Sequence, residues 1–170
     1  YLFIDAARFP VRNPPALARP MCHRHLGVGA DGIILILPGG DSADFTMRIF
    51  NADGSEAETC GNGIRCFAKY VYERKMTAKD LFVIQTGAGP NRVELILDGK
   101  TVISVRSNMG RPRFDRPEIP MVGPPGPVIE EPVDVDGQTL RVTCVNVGNP
   151  HAVVFVEDLR RVDYDVVASS

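Results

Sequence analysis

The 170-residue chain lacks an excess of basic charge: 19 Lys and Arg stand against 21 Asp and Glu, a net charge of −2 with a pI near 5.9. Proteins whose main task is to neutralise phosphates carry a basic face that lifts the pI well above neutrality, so nucleic acids and anionic membranes are poor partners for this chain. It also lacks any run approaching the roughly 20 apolar residues that a bilayer span requires; the longest candidate, residues 33–37, is strand-sized. No cationic stretch followed by an apolar one marks the N-terminus, which leaves no visible secretion signal and predicts a cytoplasmic protein. Cys22, Cys60, Cys66 and Cys144 include no Cys-x-x-Cys pair, and this excludes a disulfide scaffold or a zinc ribbon. What is present is the balance of a globular protein, 44% hydrophobic and 24% charged, at a length that fits one large domain or two small ones. The chain opens on Tyr1-Leu2-Phe3-Ile4 rather than on Met, as though cut inside a strand, and this predicts a fragment of something longer.

Short apolar runs at residues 33–37, 45–50, 81–84, 93–97 and 102–105 are strand-length and bounded by turn signals such as Pro38-Gly39-Gly40 and Asp98-Gly99. The last two predict a hairpin. One segment has a different period: Ile64, Phe67, Ala68, Val71 and Tyr72 recur at helical spacing, with Arg65, Lys69, Glu73 and Arg74 on other faces. This predicts an amphipathic helix just after Cys60-Gly61-Asn62-Gly63. Between residues 111 and 132 seven prolines remove backbone donors and oppose both helix and central strand, which predicts a crossover. Beyond it, residues 133–135, a turn at Asp136-Gly137, an arm at 140–145 and a strand at 152–156 predict the beginning of a second domain. The expected organisation is a first half over residues 1–111, a crossover over 112–132, and the start of a second half over 133–170. Asn108-Met109-Gly110-Arg111-Pro112 echoes Asn146-Val147-Gly148-Asn149-Pro150, as two related halves would.

Gly27-Val28-Gly29-Ala30-Asp31-Gly32 fits the dinucleotide fingerprint, which requires a strand before it and a helix after it. Here a β-rich run follows, so the glycines read as a tight loop feeding a strand. Cys22-His23-Arg24-His25 offers three potential metal ligands without the second dense cluster that zinc needs, and reads as a helix end leading into that loop; no metal is expected. The informative segment is Asn51-Ala52-Asp53-Gly54-Ser55 followed by Glu58-Thr59-Cys60-Gly61-Asn62-Gly63-Ile64-Arg65-Cys66. Cys60 stands immediately before a Gly-Asn-Gly turn that opens a helix, where unpaired N–H groups and the positive end of the helix dipole favour a thiolate. The glycine N–H groups can also close around an anion such as a carboxylate. Cys66, six residues on, is rotated by about 240° from Cys60 and is expected in the core. Asn51 fits either an Asx turn or a ligand-binding amide. In Val147-Gly148-Asn149-Pro150-His151, the histidine at a strand entrance fits a capped surface residue or a partner for the thiol.

Together the Cys-Gly-Asn-Gly-Ile-Arg-Cys string, Asn51-Ala52-Asp53-Gly54-Ser55, the Gly27–Gly32 loop and Gly148-Asn149-Pro150-His151 resemble diaminopimelate epimerases over essentially the whole chain. The resemblance implies an α+β fold of two pseudo-symmetric halves, each a mixed or antiparallel barrel-like sheet wrapped around a central helix, with the second half incomplete here. It implies interconversion of L,L- and meso-diaminopimelate in lysine and peptidoglycan-precursor biosynthesis, without pyridoxal phosphate or any other cofactor, by two cysteines on opposite faces of the α-carbon. Cys60 would be one of that pair with His151 associated with it; Asn51, Asn149 and the donors of Gly61 and Asn62 would bind the substrate. A homodimer is the assembly expected. The family's glycine-rich turn ending in Asn-Asp would precede Tyr1, and its second cysteine lies in a later Cys-Gly-Thr-Gly-like motif accompanied by a Glu-Arg pair. Neither falls within these 170 residues, so the chain is expected to supply one catalytic cysteine and to be inactive alone. Proline racemases and phenazine-biosynthesis-like isomerases, or a non-catalytic amino-acid-binding module, are the alternative readings.

Overall fold

The structure, a computed structural model, describes residues 1–135 and 137–162 and divides into two compact units, Tyr1–Met109 and Gly110–Ser170.

In the first unit, β1 (Leu2–Asp5), β2 (Gly32–Pro38), β3 (Phe45–Asn51), β5 (Leu81–Thr86), β6 (Gly89–Asp98) and β7 (Thr101–Ser107) lie side by side in that order, and the short β4 (Glu56–Ala57) pairs with β3. The sheet is mixed: β1 runs parallel to β2 and β3 parallel to β5, while the other neighbours are antiparallel. Two helices, α1 (Pro14–Cys22) and α2 (Gly61–Glu73), complete the unit, giving an α+β fold.

The unbroken apolar run of β2 follows from burial on both faces. Ile34 and Ile36 pack with Ile64, Phe67, Ala68 and Val71 of α2, whereas Ile33 and Leu35 pack with Ala18 and Cys22 of α1. β6 alternates instead, with Asn91, Val93 and Leu95 buried and Arg92, Glu94 and Ile96 exposed, because only one of its faces is covered. Ile64, Phe67 and Val71 are completely buried, each contributing roughly 2 kcal/mol by leaving water. This seam fixes α2 against the sheet, and with it the residue that starts the helix. The hairpin expected near Asp98-Gly99 forms with Asp98 opposite Thr101.

α1 is a helix despite three prolines. Pro14 and Pro15 occupy its first positions, where a missing N–H costs nothing, and the Asn13 side chain caps it by accepting from the Ala16 N–H at 3.2 Å. Pro20 comes near its end.

In the second unit, β8 (Glu131–Val135), β9 (Gln138–Asn146) and β10 (Pro150–Val154) form an antiparallel sheet in the order β10-β9-β8. The proline-rich stretch carries structure of its own. A 3-10 turn spans Arg116–Glu118, Arg113 bridges to Asn146, and Ile119 and Val128 are buried with Val142 and Cys144. Arg116 is 7% exposed and forms an ion pair with Glu131. Of the turn expected at Asp136-Gly137, Asp136 lies outside the described residues, as do residues 163–170 of the expected second half. The strand expected at 152–156 begins two residues earlier. Pro150 pairs with Asn146, Gly148 turns the loop between them at φ 110°, and proline is tolerated as the first residue of an edge strand.

Candidate active site

β3 ends at Asn51, and the chain reverses through residues 52–55 into β4. The Asp53 carboxylate accepts from the Ser55 N–H at 2.8 Å and from the Ser55 hydroxyl at 2.6 Å, bonds that hold its carboxyl below the usual range. Ser55 Oγ in turn accepts from Asn51 Nδ2 at 2.9 Å. Asp53 is therefore the Asx residue of this turn, and Asn51 is its base. α1 abuts the turn from outside: Arg19 donates to the Asp53 carbonyl at 2.8 Å, and a Cβ on Gly54, whose φ is +86°, would lie 2.9 Å from the Pro15 carbonyl. Only glycine meets both demands at that position.

β4 then carries the chain toward α2. Arg48 of β3 grips Glu56 of β4 with two bonds of 2.7 and 2.8 Å, which lower the Glu56 carboxyl and raise the Arg48 guanidinium. Four residues later Cys60 is the N-cap of α2, with extended φ and ψ of −151° and 108°. Its carbonyl accepts the first helical bond from the Ile64 N–H at 2.8 Å, and its Sγ accepts from the Gly63 N–H at 3.3 Å. A cysteine thus fills the role usually given to Ser, Thr or Asp. α2 begins at Gly61, inside the glycine turn rather than after it, so the N–H groups of Gly61 and Asn62 belong to the first turn, which has no helical carbonyl to meet it. Cys60 is half-buried against the α2 side of the core. The Asn62 side chain accepts from the Arg65 guanidinium.

Cys66 corrects one expectation. It faces away from Cys60 but is exposed rather than in the core, beside Arg65 and Lys69, because the apolar stripe of α2 runs through residues 64, 67, 68 and 71 and leaves 65, 66 and 69 outside it. Cys22 is buried at the end of α1, where burial pushes its thiol up. His23 follows as the helix cap, its Nδ1 accepting from the N–H groups of His25 at 3.2 Å and Leu26 at 3.0 Å. Among the described residues no group of three or more His, Cys, Asp or Glu side chains is placed to hold a metal ion, and no helix is long and apolar enough to cross a membrane.

Asn149 and His151 belong to the second unit, where both are exposed and the Asn149 Oδ1 lies 3.1 Å from the His151 Nε2. His151 is the second residue of β10, opposite Val145. Asn146 braces the loop before them, its Oδ1 accepting from the Gly148 N–H at 2.9 Å and its Nδ2 donating to the Glu118 carbonyl at 2.7 Å.

The family profile described as Diaminopimelate epimerase matches residues 1–114, the stretch that holds the capped cysteine and the Asn51 turn. The chain belongs to the diaminopimelate epimerase family. A diaminopimelate epimerase of Pelotomaculum thermopropionicum is 52% identical over 167 residues, covering 96% of this chain and 59% of that protein. Another, of Moorella thermoacetica, is 54% identical over 145 residues, covering 85% of this chain and 52% of that protein. The chain thus spans little more than half the length of these relatives. Among solved structures, a hydroxyproline epimerase from Agrobacterium vitis with bound trans-4-hydroxy-L-proline superposes with a TM-score of 0.65 at 18% identity, over 86% of this chain and 41% of that one. That likeness concerns the fold alone.

Within this member of the diaminopimelate epimerase family, sequence reading passed over two neighbours of the candidate residues. Arg19 anchors the Asn51 turn from α1, a helix of which only the end was signalled in sequence. Tyr1, the residue before β1, lies with its ring against Gly32, which pairs with Asn51, a contact with no local sequence signal.

Proposed function

We propose that the complete protein containing this chain interconverts L,L- and meso-diaminopimelate, and that Cys60 exchanges the α-proton on one face of the substrate. The observation carrying this reading is the capping geometry of Cys60, with Sγ 3.3 Å from the Gly63 N–H at the start of a helix. The family membership and the relatives' names support the choice of substrate.

The α-proton of an amino acid is very weakly acidic, so the site must neutralise the carboxylate, exclude water and hold the base in place. In this reading the N–H groups of Gly61 and Asn62 receive the α-carboxylate while the Cys60 thiolate faces the α-carbon. The C–H bond breaks, its proton becomes the S–H of Cys60, and the electron pair passes into the carboxylate-stabilised carbanion. A second thiol on the opposite face returns a proton to the carbon. For the reverse direction the two sulfurs exchange roles. Asn51 and Asn149 are proposed substrate contacts, and His151 the group that orients or shares the proton of the thiol.

The proposed division follows the sequence expectation: residues 1–111 as one catalytic half, 112–132 as crossover, and 133–170 as part of the second half. A cytoplasmic homodimer serving lysine and peptidoglycan-precursor biosynthesis completes the reading. The test is chiral chromatography of L,L-diaminopimelate incubated with the complete enzyme and with its Cys60→Ala variant. Wild type is expected to bring the two isomers to equilibrium, and the variant to leave the substrate unchanged. Turnover of trans-4-hydroxy-L-proline in place of diaminopimelate would move the assignment to the proline-racemase-like alternative.

A further inference from the structure

β6 buries a polar residue at a position where its alternation asks for an apolar one. Asn91 turns inward with Val93 and Leu95 and is 8% exposed. Both ends of its amide are bonded: Oδ1 accepts from the Ser107 hydroxyl at 2.8 Å, and Nδ2 donates to the Asn108 carbonyl at 2.8 Å. The Asn108 N–H in turn donates to the Arg92 carbonyl at 3.2 Å. These bonds tie the chain leaving β7 back onto β6, and the residue they present next is Met109. Its Sδ lies 3.6 Å from the Ser107 Oγ. The half-buried thioether ends against the first residue of α2: a Cβ on Gly61 would sit 3.3 Å from Met109 Cε and 3.5 Å from Met109 Sδ. Gly61 carries one N–H and its carbonyl carbon leads to the N–H of Asn62. These are the two first-turn donors that Cys60 does not take, since Gly63 bonds its Sγ and Ile64 its carbonyl.

We propose that Met109 is a positioning residue for this turn, its thioether closing the flank of Gly61 to water so that the Gly61 and Asn62 N–H groups meet an incoming carboxylate in an apolar setting. The inference rests on the reading of that turn as the carboxylate cradle, and it adds the side chain that shields it. A hydrogen bond to a carboxylate strengthens as water is excluded and the local dielectric falls. Methionine is flexible on its own, with three rotatable bonds in the side chain. The Asn91–Ser107 network supplies the order that the thioether lacks, and a buried polar pair at a core position of β6 thereby gains a purpose.

The experiment compares Met109→Leu, Met109→Ala and Met109→Gln in the complete enzyme by calorimetric titration with an equilibrated mixture of L,L- and meso-diaminopimelate, alongside steady-state kinetics. Leucine keeps an apolar side chain of similar volume, alanine opens the flank, and glutamine fills it with a hydrogen-bonding amide. Met109→Leu is expected to bind within about twofold of wild type. Met109→Ala and Met109→Gln are expected to bind about tenfold more weakly, with KM rising in proportion and kcat changing less than about threefold. Met109→Gln binding as tightly as Met109→Leu would reduce Met109 to filling volume and overturn the proposal, as would wild-type affinity in all three. Melting temperatures show that each variant is folded. Wild-type protein that bound no diaminopimelate would refute the functional reading and this inference with it, whereas tight wild-type binding with insensitive variants would sink this inference alone.

Discussion

The Gly63 N–H donates to the Sγ of Cys60 across 3.3 Å, so the atom that closes the first turn of α2 is also the atom proposed to take a proton from substrate. Structure and chemistry can be separated at this one sulfur. Serine is itself a strong N-cap, whereas alanine is not. Cys60→Ser is therefore expected to fold with wild-type stability and to lose activity, because a hydroxyl does not ionise near neutral pH. Cys60→Ala is expected to lose activity and about 1 kcal/mol of stability as well. Thermal unfolding alongside the epimerase assay distinguishes the two.

Cys66 is expected to be dispensable. It stands exposed on the outer face of α2, off the stripe formed by Ile64, Phe67, Ala68 and Val71. Cys66→Ser should change stability by less than about 0.5 kcal/mol and leave most of the activity, as measured in the same two assays. Loss of activity comparable to that of Cys60→Ser would show that both cysteines act on the substrate.

Arg116 and Glu131 make a test of the second unit alone. Arg116 is 7% exposed, donates to both carboxylate oxygens of Glu131 and to the Pro124 carbonyl at 3.0 Å, and passes close to Gly123. Removing the partner of a buried charge leaves that charge uncompensated. Glu131→Gln is expected to destabilise the complete protein by about 3 kcal/mol in urea titrations. A midpoint within error of wild type would mean that water reaches the guanidinium.

Asp44 gives the stability a pH dependence. Its carboxylate bonds Lys79 at 2.5 Å and the Val83 N–H at 2.9 Å, clamping β3 to β5 where their parallel pairing is only two residues long. The Lys79 bond, then the Val83 bond, hold its carboxyl below the ordinary value of 3.8. A lowered folded-state value adds stability above the ordinary one, and this is lost as the pH falls through the folded value. Asp44→Asn should therefore cost about 1 kcal/mol at neutral pH, given how exposed Lys79 is, with the difference from wild type fading below pH 3.8. Melting temperatures across acid pH would show it.

Much of this architecture was legible in local pattern. Residues 33–37 announced a strand, whose burial on both faces only the structure shows, and the spacing of Ile64, Phe67, Ala68 and Val71 announced the face of α2 that meets it. The capping cysteine was legible too, since a cysteine before Gly-Asn-Gly has few other places to put its sulfur. The end of α1 was legible, since Cys22-His23 read as a helix end leading into the glycine loop; its start was not, because Pro14 and Pro15 have first to be recognised as first-turn residues. Cys66 was misplaced because a rotation away from Cys60 does not say which side of the helix is covered; that depends on the sheet beneath α2. Tyr1 and Arg19 reach Gly32 and Asp53 from distant parts of the chain, and such contacts follow from the order of strands rather than from any spacing in sequence.

The most direct measurement is proton NMR of diaminopimelate incubated in deuterated water with the complete enzyme and with its Cys60→Ser variant. Wild type is expected to replace the α-proton with deuterium as it inverts the carbon, and Cys60→Ser to slow inversion at least 100-fold while its melting temperature stays unchanged. Inversion and exchange at wild-type rates in the folded serine variant would contradict the assignment of Cys60 as an acid–base group of this site.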